Sequence, residues 1–187
     1  MARDDAANAN RLTIVLTGAE SAGKTTLAEA IARALDVPWV PEFARSYLES
    51  RRGYDRDDLL SIAAGQQAAE SAIAAREPLV VADTDLLVIR VWSAVKYGSV
   101  DARIDAAVRR QLAEARRFYL IPRPDIPWQP DRLREHPTSR DTLHRMHLDL
   151  LDELGLDHVE LTGSHGERLA TALTEIGRRA DVTRRAR

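Results

Sequence analysis

The sequence predicts an α/β domain of three layers, in which helices cover both faces of a five-stranded parallel sheet. Short apolar runs rich in β-branched residues recur along the chain, and turn residues bound them, which is typical of buried strands. Helical stretches alternate with these runs, as in parallel sheets with crossover helices. The length of 187 residues suits one domain. We therefore expect a single domain at residues 11–187, after a disordered polar segment at residues 1–10.

The first elements predict a strand, a loop and a helix. Residues 12–17 form an apolar, β-branched run that stops at Gly18. Residues 24–35 repeat leucine and isoleucine every fourth position, which indicates an amphipathic helix. Residues 37–40 follow as a second short strand.

The middle of the chain predicts a long helix, a central strand and two more helices. An alanine-rich helix opens at Asp55, with an acid three residues later as in a capping box, and closes at Glu77. Residues 78–83 are a continuous apolar run that ends in an acid, as expected of a strand buried on both faces. Helical stretches follow around residues 86–96 and 104–116.

The last part of the chain predicts two strands and two helices around a long loop. Residues 118–121 supply the fourth strand. Residues 122–137 carry five prolines and no clear period, which indicates an irregular segment. Residues 142–154 are expected to be helical, residues 158–161 to form the fifth strand, and residues 168–179 to form the closing helix.

The composition narrows the function classes. Lys and Arg number 27 and Asp and Glu 29, so the formal charge of -2 gives no general attraction to nucleic acid or anionic lipid. Cysteine is absent, which excludes disulfides, cysteine-ligated zinc and thiol nucleophiles. The opening residues lack the apolar core of a signal peptide, and no run approaches the length of a membrane span. We expect a cytoplasmic protein without nucleic-acid or membrane partners; the oligomeric state is open.

One segment carries a specific motif. Gly18 to Thr25 match G-x-x-x-x-G-K-[ST] without a mismatch, between a predicted strand and a predicted helix. Such a loop turns backbone amides inward around phosphate oxygens. We expect Lys24 to reach the terminal phosphates and Thr25 to place its hydroxyl on Mg²⁺. The motif predicts a P-loop NTPase fold that binds a triphosphate with Mg²⁺, ATP or GTP. The predicted nucleotide contacts are Gly18, Glu20, Ser21, Ala22, Gly23, Lys24, Thr25 and Thr26.

Acidic residues follow two predicted strands, at the edge of a parallel sheet where ligands bind. Asp83 is expected to hold Mg²⁺ directly or through water, and the alternative for a strand-end Asp is the cap of the next helix. Asp85 offers a second carboxylate for a substrate hydroxyl. Glu42 is placed to accept the proton of an attacking hydroxyl, and Arg45 lies one helical turn away to steady an anion or Glu42 itself. The alternative is an ordinary surface pair.

Residues 122–141 combine prolines, arginines and tryptophan, and we predict that they form a lid segment. A lid that brings arginines such as Arg134 over the phosphates would stabilise the transferred group and exclude water. Trp128 is a candidate substrate-binding residue, and the alternative for the whole segment is a solvated connector. With no suitable acid beside them, we predict that three histidines lie on the surface and hold no metal: His136, His144 and His147.

Four motifs follow one another along the chain: GAESAGKTTL at 18–27, EFAR at 42–45, DTD at 83–85 and WQPDRLR at 128–134. In this order they resemble ribosylnicotinamide kinase domains. Those domains form the C-terminal part of the trifunctional regulator of NAD biosynthesis and also occur as stand-alone P-loop proteins. The similarity covers about residues 12–180. In the last motif Pro130 and Arg132 stand where the family pattern has Asp and Gly.

The resemblance implies ATP-dependent phosphorylation of the 5′-hydroxyl of nicotinamide riboside, which gives nicotinamide mononucleotide and ADP. The residues that it assigns to the reaction are Lys24 and Thr25 for ATP and Mg²⁺, Glu42 and Arg45 beside the riboside, Asp83 and Asp85 for metal and ribose, and Arg134 in the lid.

The residues themselves leave alternatives open. The P-loop, Glu42 and Asp83 would serve a hydroxyl of any nucleoside, so a kinase for another nucleoside or small molecule fits equally well. An ATP-binding regulatory switch that acts on a partner protein is a further alternative. In a kinase, Lys24, Mg²⁺ and lid arginines would stabilise the transferred group during in-line attack, and either Glu42 or Asp83 could be the general base.

Overall fold

The computed structural model describes residues 11–131 and 138–185, with side chains described as far as Ala180. Within these residues the chain forms one sheet whose five strands all pair in parallel: β1 (Leu12–Leu16), β2 (Trp39–Val40), β3 (Leu79–Asp83), β4 (Arg116–Pro122) and β5 (His158–Leu161). The strand order is β2-β3-β1-β4-β5, so β1 is central.

Helices connect the strands. In the described part of the chain they are α1 (Lys24–Leu35), α2 (Phe43–Leu48), α3 (Arg56–Ala74), α4 (Leu86–Tyr97), α5 (Ala102–Glu114), α6 (Arg140–Glu153) and α7 (His165–Arg185). The start of α3 follows the predicted capping box, because the Asp55 side chain accepts hydrogen bonds from Asp57 N and Asp58 N.

The helices lie on both faces of the sheet. Side chains alternate along each strand, so Ile14 and Leu16 of β1 and Phe118 of β4 face one side, where they pack with α1 and α7. Val15 and Tyr119 face the other side, where they pack with α2 to α6. All five side chains are almost fully buried, and this burial is the main source of stability for the three layers. The predicted three-layer α/β fold with a five-stranded parallel sheet is confirmed.

Several helix ends differ by a few residues from the sequence prediction, and two differences have a clear local cause. The sequence gives no helix for α2, because six residues are too few to show a period. α7 begins at His165 instead of residue 168, because Ser164 and Glu167 form a capping box: Ser164 N donates to Glu167 Oε2 at 2.8 Å and Glu167 N donates to Ser164 Oγ at 3.3 Å. Across the described ranges, no helix has both the length and the apolar composition that a membrane crossing requires.

The topology fixes where a ligand can bind. The chain places β2 and β3 on one side of β1 and then crosses to β4 on the other side. Such a switch of direction opens a crevice at the carboxyl ends of the strands. Leu16, the last residue of β1, is in register with Asp83 of β3. The loop after β1 and the acid after β3 are therefore neighbours.

Candidate active site

The loop between β1 and α1 has the backbone of a phosphate-binding nest. Gly18, Ser21 and Gly23 have φ angles of 116°, 54° and 83°, in the left-handed region that turns successive N–H groups to one side. A Cβ atom at Gly18 would lie 3.0 Å from Ile121 Cγ1, a tight contact, so the space as well as the φ angle favours glycine at this position. Gly23 is the N-cap of α1 and supplies no side-chain cap, which leaves the first N–H groups of the helix for an anion.

Lys24 folds back over this loop. Its Nζ donates to the carbonyl oxygens of Gly18 at 3.1 Å and Ala19 at 2.8 Å. The ammonium group therefore lies beside the nest, and the side chain lines the cavity that the loop encloses. This is the place where a positive charge attracts phosphate oxygens.

Asp83 and Thr25 form the contact between the end of β3 and the start of α1. Thr25 Oγ1 donates to Asp83 Oδ2 at 2.6 Å. Asp83 is fully buried, and its Oδ1 has no hydrogen-bond partner among the described residues. Burial raises the pKa of Asp83 to about 6 and the negative charge of Glu42 adds to the rise, whereas the Thr25 hydrogen bond and the Lys24 charge oppose it. A buried carboxylate oxygen without a donor, beside a hydroxyl, fits a hard cation such as Mg²⁺.

Glu42 and Arg45 form the predicted pair, and the lid segment adds a third charge. Arg45 Nε lies 2.9 Å from Glu42 Oε2. Arg45 Nη1 donates to Asp131 Oδ2 at 2.9 Å. The guanidinium thus joins the end of β2 to the lid segment. The sequence does not single out Asp131 as its partner, because the two residues are 86 positions apart.

Two cavities meet at these side chains. The first, of about 150 Å³, is lined by residues 21–26 of the loop and α1, and by Ile126 and Gln129 of the lid segment. The predicted nucleotide contacts line it, except for Gly18 and Glu20. This lining is more polar than apolar, unlike that of the second cavity, which suits a polyphosphate.

The second cavity, of about 250 Å³, has apolar walls. Trp39, Pro41, Phe43 and Ala69 line it, together with Asp83. Three residues line both cavities: Thr25, Glu42 and Arg45. Apolar walls with a few convergent polar groups are typical of small-molecule sites. The arrangement offers a polar chamber and an apolar chamber with one carboxylate between them.

A protein-family model described as an AAA domain (AAA_28) matches residues 13–168. That range contains the P-loop, Glu42, Asp83 and the lid segment. The chain belongs to this family. Comparison with curated protein sequences gives no match.

Solved structures share the fold of this AAA domain. NadR protein in complex with NR, nicotinamide riboside, aligns with a TM-score of 0.70 and 24% identity over 89% of this chain and 49% of the NadR chain. NadR protein in complex with NAD and AMP-PNP aligns with a TM-score of 0.69 and 26% identity, again over 89% of this chain and 49% of the NadR chain. Deoxyadenosine kinase from M. mycoides with bound dCTP aligns with a TM-score of 0.62 and 13% identity. The alignment covers 88% of this chain and 98% of the kinase chain.

These comparisons bear on three of the expectations. The predicted P-loop fold and the predicted resemblance to the regulator of NAD biosynthesis are confirmed. The structural neighbours include a deoxyadenosine kinase and a shikimate kinase, so the AAA domain shares its fold with small-molecule kinases. The chain spans about half the length of the NadR chains that it matches.

The lid segment of the AAA domain contacts the P-loop. Gln129 N donates to Ser21 Oγ at 3.0 Å, and Arg140 Nη1 donates to the carbonyl of Ile126 at 2.9 Å. Trp128 lines neither cavity; its ring faces the Arg140 guanidinium, with the carbon Cζ 5.7 Å from the ring centroid. The substrate contact predicted for Trp128 therefore has no support from its position. Outside the described residues lie Arg132, Arg134 and His136.

Asp85 lines neither of the two cavities. It is fully buried and caps α4, because its side chain accepts a hydrogen bond from Leu87 N at 3.0 Å. Tyr119 Oη donates to its second oxygen at 2.8 Å, and Arg117 Nη1 lies 3.6 Å from that oxygen. Burial raises the pKa of Asp85, against the effect of the Arg117 charge. This position supports a structural role for Asp85 in place of the predicted ribose contact.

The prediction of surface histidines is wrong for His144 and His147. Both are buried on the inner face of α6, because the helix turns them toward the sheet. His147 Nδ1 lies 3.3 Å from Thr17 Oγ1, and burial together with the Lys24 charge lowers the pKa of His147 to about 3, so this ring is neutral. His144 Nε2 lies 2.7 Å from Glu160 Oε1. In the part of the chain that the structure describes, no cluster of three or more His, Cys, Asp or Glu could hold a metal ion.

A residue that the sequence does not single out connects the backbone segments that carry Glu42 and Asp83. Gln66 of α3 is buried; its Oε1 accepts from Phe43 N at 2.8 Å and its Nε2 donates to the carbonyl of Thr84 at 3.3 Å. Thr84 has a φ of 74°, which is rare for a β-branched residue and costs about 1–3 kcal/mol. Gly65 admits the Phe43 ring, since a Cβ there would lie 2.2 Å from it. In the sequence Gln66 is one of two adjacent glutamines in an alanine-rich helix, and nothing there marks it as a contact.

Proposed function

We propose that this chain is an ATP-dependent nucleoside kinase that phosphorylates the 5′-hydroxyl of nicotinamide riboside, giving nicotinamide mononucleotide and ADP. The observation that carries the proposal is the shared lining of the two cavities by Thr25, Glu42 and Arg45. A phosphate in the first cavity and a hydroxyl in the second would meet at one carboxylate. The structural similarity to NadR in complex with NR supports this choice of acceptor.

The first cavity suits the triphosphate of ATP. The amides of the nest and of the start of α1 would bind its phosphate oxygens, and Lys24 would add a mobile positive charge. Thr25 and Asp83 are the residues that would hold Mg²⁺, since their oxygens are adjacent and Asp83 Oδ1 lacks a donor. The bound ion would neutralise phosphate charge and align the nucleotide.

The second cavity suits a flat heterocycle with a ribose. Trp39 and Phe43 give it aromatic walls, and such side chains stack on planar rings. Glu42 supplies an acceptor for a hydroxyl group of the ribose. The positive charge of the nicotinamide ring adds a cation–π attraction to Trp39 that a neutral base lacks.

Glu42 is the general base in this proposal. It lines both cavities, whereas Asp83 is fully buried and is assigned to the metal. Arg45, with its Nε 2.9 Å from Glu42 Oε2, would hold that carboxylate in place. The oxygen of the 5′-hydroxyl would attack the γ-phosphorus in line with the departing ADP oxygen, and Glu42 would take the proton of that hydroxyl.

A substrate panel tests the function. ADP release is measured with Mg-ATP and with Mg-GTP, in the presence of nicotinamide riboside, adenosine, deoxyadenosine, deoxycytidine or thymidine. The proposal expects release that depends on nicotinamide riboside, with the mononucleotide identified by mass spectrometry. Release with another nucleoside alone would favour that acceptor. Slow ADP release that is independent of every acceptor would favour the regulatory switch.

A further inference from the structure

We propose that Arg168 is a positioning residue for the donor nucleotide, because its guanidinium group joins the P-loop to the loops after β4 and β5. This inference rests only on the nucleotide-binding part of the proposed function. Arg168 does not line either cavity, and its side chain acts through the backbone of the P-loop.

The contacts of Arg168 converge from three strand ends. Nη1 donates to the carbonyl of Ala22, in the loop after β1, at 3.0 Å. Nη2 donates to the carbonyl of Arg123, after β4, at 3.1 Å, and forms an ion pair with Asp125. Nε donates to the carbonyl of Gly163, after β5, at 2.9 Å. A planar group with rigidly placed donors fixes the relative positions of its acceptors.

The bond to Ala22 bears directly on phosphate binding. In a trans peptide unit the C=O and the following N–H point in opposite directions. Holding the carbonyl of Ala22 toward Arg168 therefore turns the N–H of Gly23 the other way, and Gly23 lines the first cavity. The positive charge at the carbonyl also polarises this peptide unit, which makes its N–H a stronger donor.

The position of Arg168 is unfavourable by local rules. It lies in the first turn of α7, where the helix dipole disfavours a positive charge. Its side chain is 4% exposed, so it has lost most of its hydration. A residue that violates both preferences is explained by the contacts it makes, and such violations concentrate at functional sites.

A structural role alone would make Arg168 equivalent to other arginines that attach α7 to the sheet. Arg179 of the same helix provides the matched control. It pairs with Asp157 and Glu175, and its guanidinium lies over the Phe118 ring, with its carbon Cζ 3.7 Å from the ring centroid. These contacts stabilise the domain but do not involve the P-loop.

The test compares Arg168→Met, Arg168→Lys and Arg179→Met by isothermal titration calorimetry with Mg-ADP, with folding checked by circular dichroism and Tm. We expect the Kd for Mg-ADP to rise about ten-fold or more in Arg168→Met, because a displaced amide no longer matches the phosphate. Arg168→Lys should lie between this variant and the wild type, since one ammonium cannot serve all three loops. Arg179→Met should lower the Tm and keep the Kd within about two-fold.

Three results would overturn the inference: an unchanged Kd in folded Arg168→Met, an equal rise in Arg179→Met, or no binding of Mg-ADP to the wild type. If Arg168→Met does not fold, Arg168→Lys decides, and a Kd equal to that of the wild type contradicts the inference. A wild-type protein that binds Mg-ADP but leaves nicotinamide riboside unphosphorylated contradicts the acceptor assignment only.

Discussion

Thr25 Oγ1 donates a 2.6 Å hydrogen bond to Asp83, and the other oxygen of that carboxylate is buried without a donor among the described residues. The contact joins the first turn of α1 to the end of β3, and it depends on the register that sets Leu16 beside Asp83. Asp83 Oδ2 is thus oriented by the protein, while Asp83 Oδ1 is available to a ligand.

The first prediction concerns this carboxylate in the protein without nucleotide or metal. The pKa of Asp83 is raised from 3.8 to about 6, so the native state holds its proton to higher pH than the unfolded state does. The stability from this difference is present below pH 3.8 and is lost as pH rises through 6. Asp83→Asn should therefore raise the free energy of unfolding by about 3 kcal/mol at pH 8 and by little at pH 4. Urea unfolding at both pH values checks this, and an equal gain at both would contradict it.

The second prediction separates the base from the metal ligand. Glu42→Gln should lower kcat by about 10²–10⁴-fold, because the amide cannot accept the hydroxyl proton. In Glu42→Gln the Kd for Mg-ATP should stay within about two-fold of the wild type. In Asp83→Asn the Kd for Mg-ATP should rise. The control is Glu49→Gln, the same change at the C-cap of α2, which should leave kcat unchanged. Steady-state kinetics measure kcat and calorimetry measures the Kd. An unchanged kcat in Glu42→Gln would show that Glu42 is not the general base.

The third prediction concerns the apolar cavity. Trp39→Ala should raise the KM for the acceptor by about 10- to 100-fold, since stacking on a base contributes about 1–3 kcal/mol. The KM for ATP should change little. Trp92→Ala removes a tryptophan that stacks on Tyr54 instead, and it should affect stability alone. Equal acceptor KM values in the two variants would show that the heterocycle binds elsewhere.

The fourth prediction concerns Gln66. Gln66→Leu should lower kcat about ten-fold, because the N-terminus of α2 and the Thr84 peptide lose their common partner and Glu42 shifts relative to Asp83. Gln111→Leu is the control: this glutamine is also buried but contacts Leu86 N and Glu70. Both variants should lose stability, measured as Tm, and only Gln66→Leu should lose kcat in folded protein. A similar loss of kcat in both would assign Gln66 a purely structural role.

Much of the fold could be predicted from local pattern, because a strand at residues 79–83 or a helix at residues 24–35 depends on side chains that are neighbours in sequence. The P-loop could be found for the same reason. Contacts across the fold could not be found in this way. From the sequence Asp85 is a free carboxylate after a strand. Its contacts with Tyr119 and Arg117, which lie more than 30 positions away, appear only in the fold.

The same limit explains why the sequence does not predict the burial of the two histidines or the acceptor cavity. A spacing of three residues on a helix does not say which face is buried, so the pattern does not show that His144 and His147 of α6 face the sheet. Trp39 and Phe43 flank Glu42 in the sequence, but only Ala69 and Asp83, brought from α3 and β3, close the space between them into a cavity.

The central place of β1 also has a consequence for biosynthesis. The P-loop follows a strand that pairs with β3 and β4, and Thr17 N, at its start, donates to the carbonyl of Leu120 at 3.0 Å. A nascent chain that has emerged from the ribosome only as far as residue 100 contains the whole nucleotide-binding motif and β3, but it lacks β4, the second strand that pairs with β1. Until β4 is translated, the sheet on that side of the loop is missing, and the early apolar segments must await partners that are translated much later.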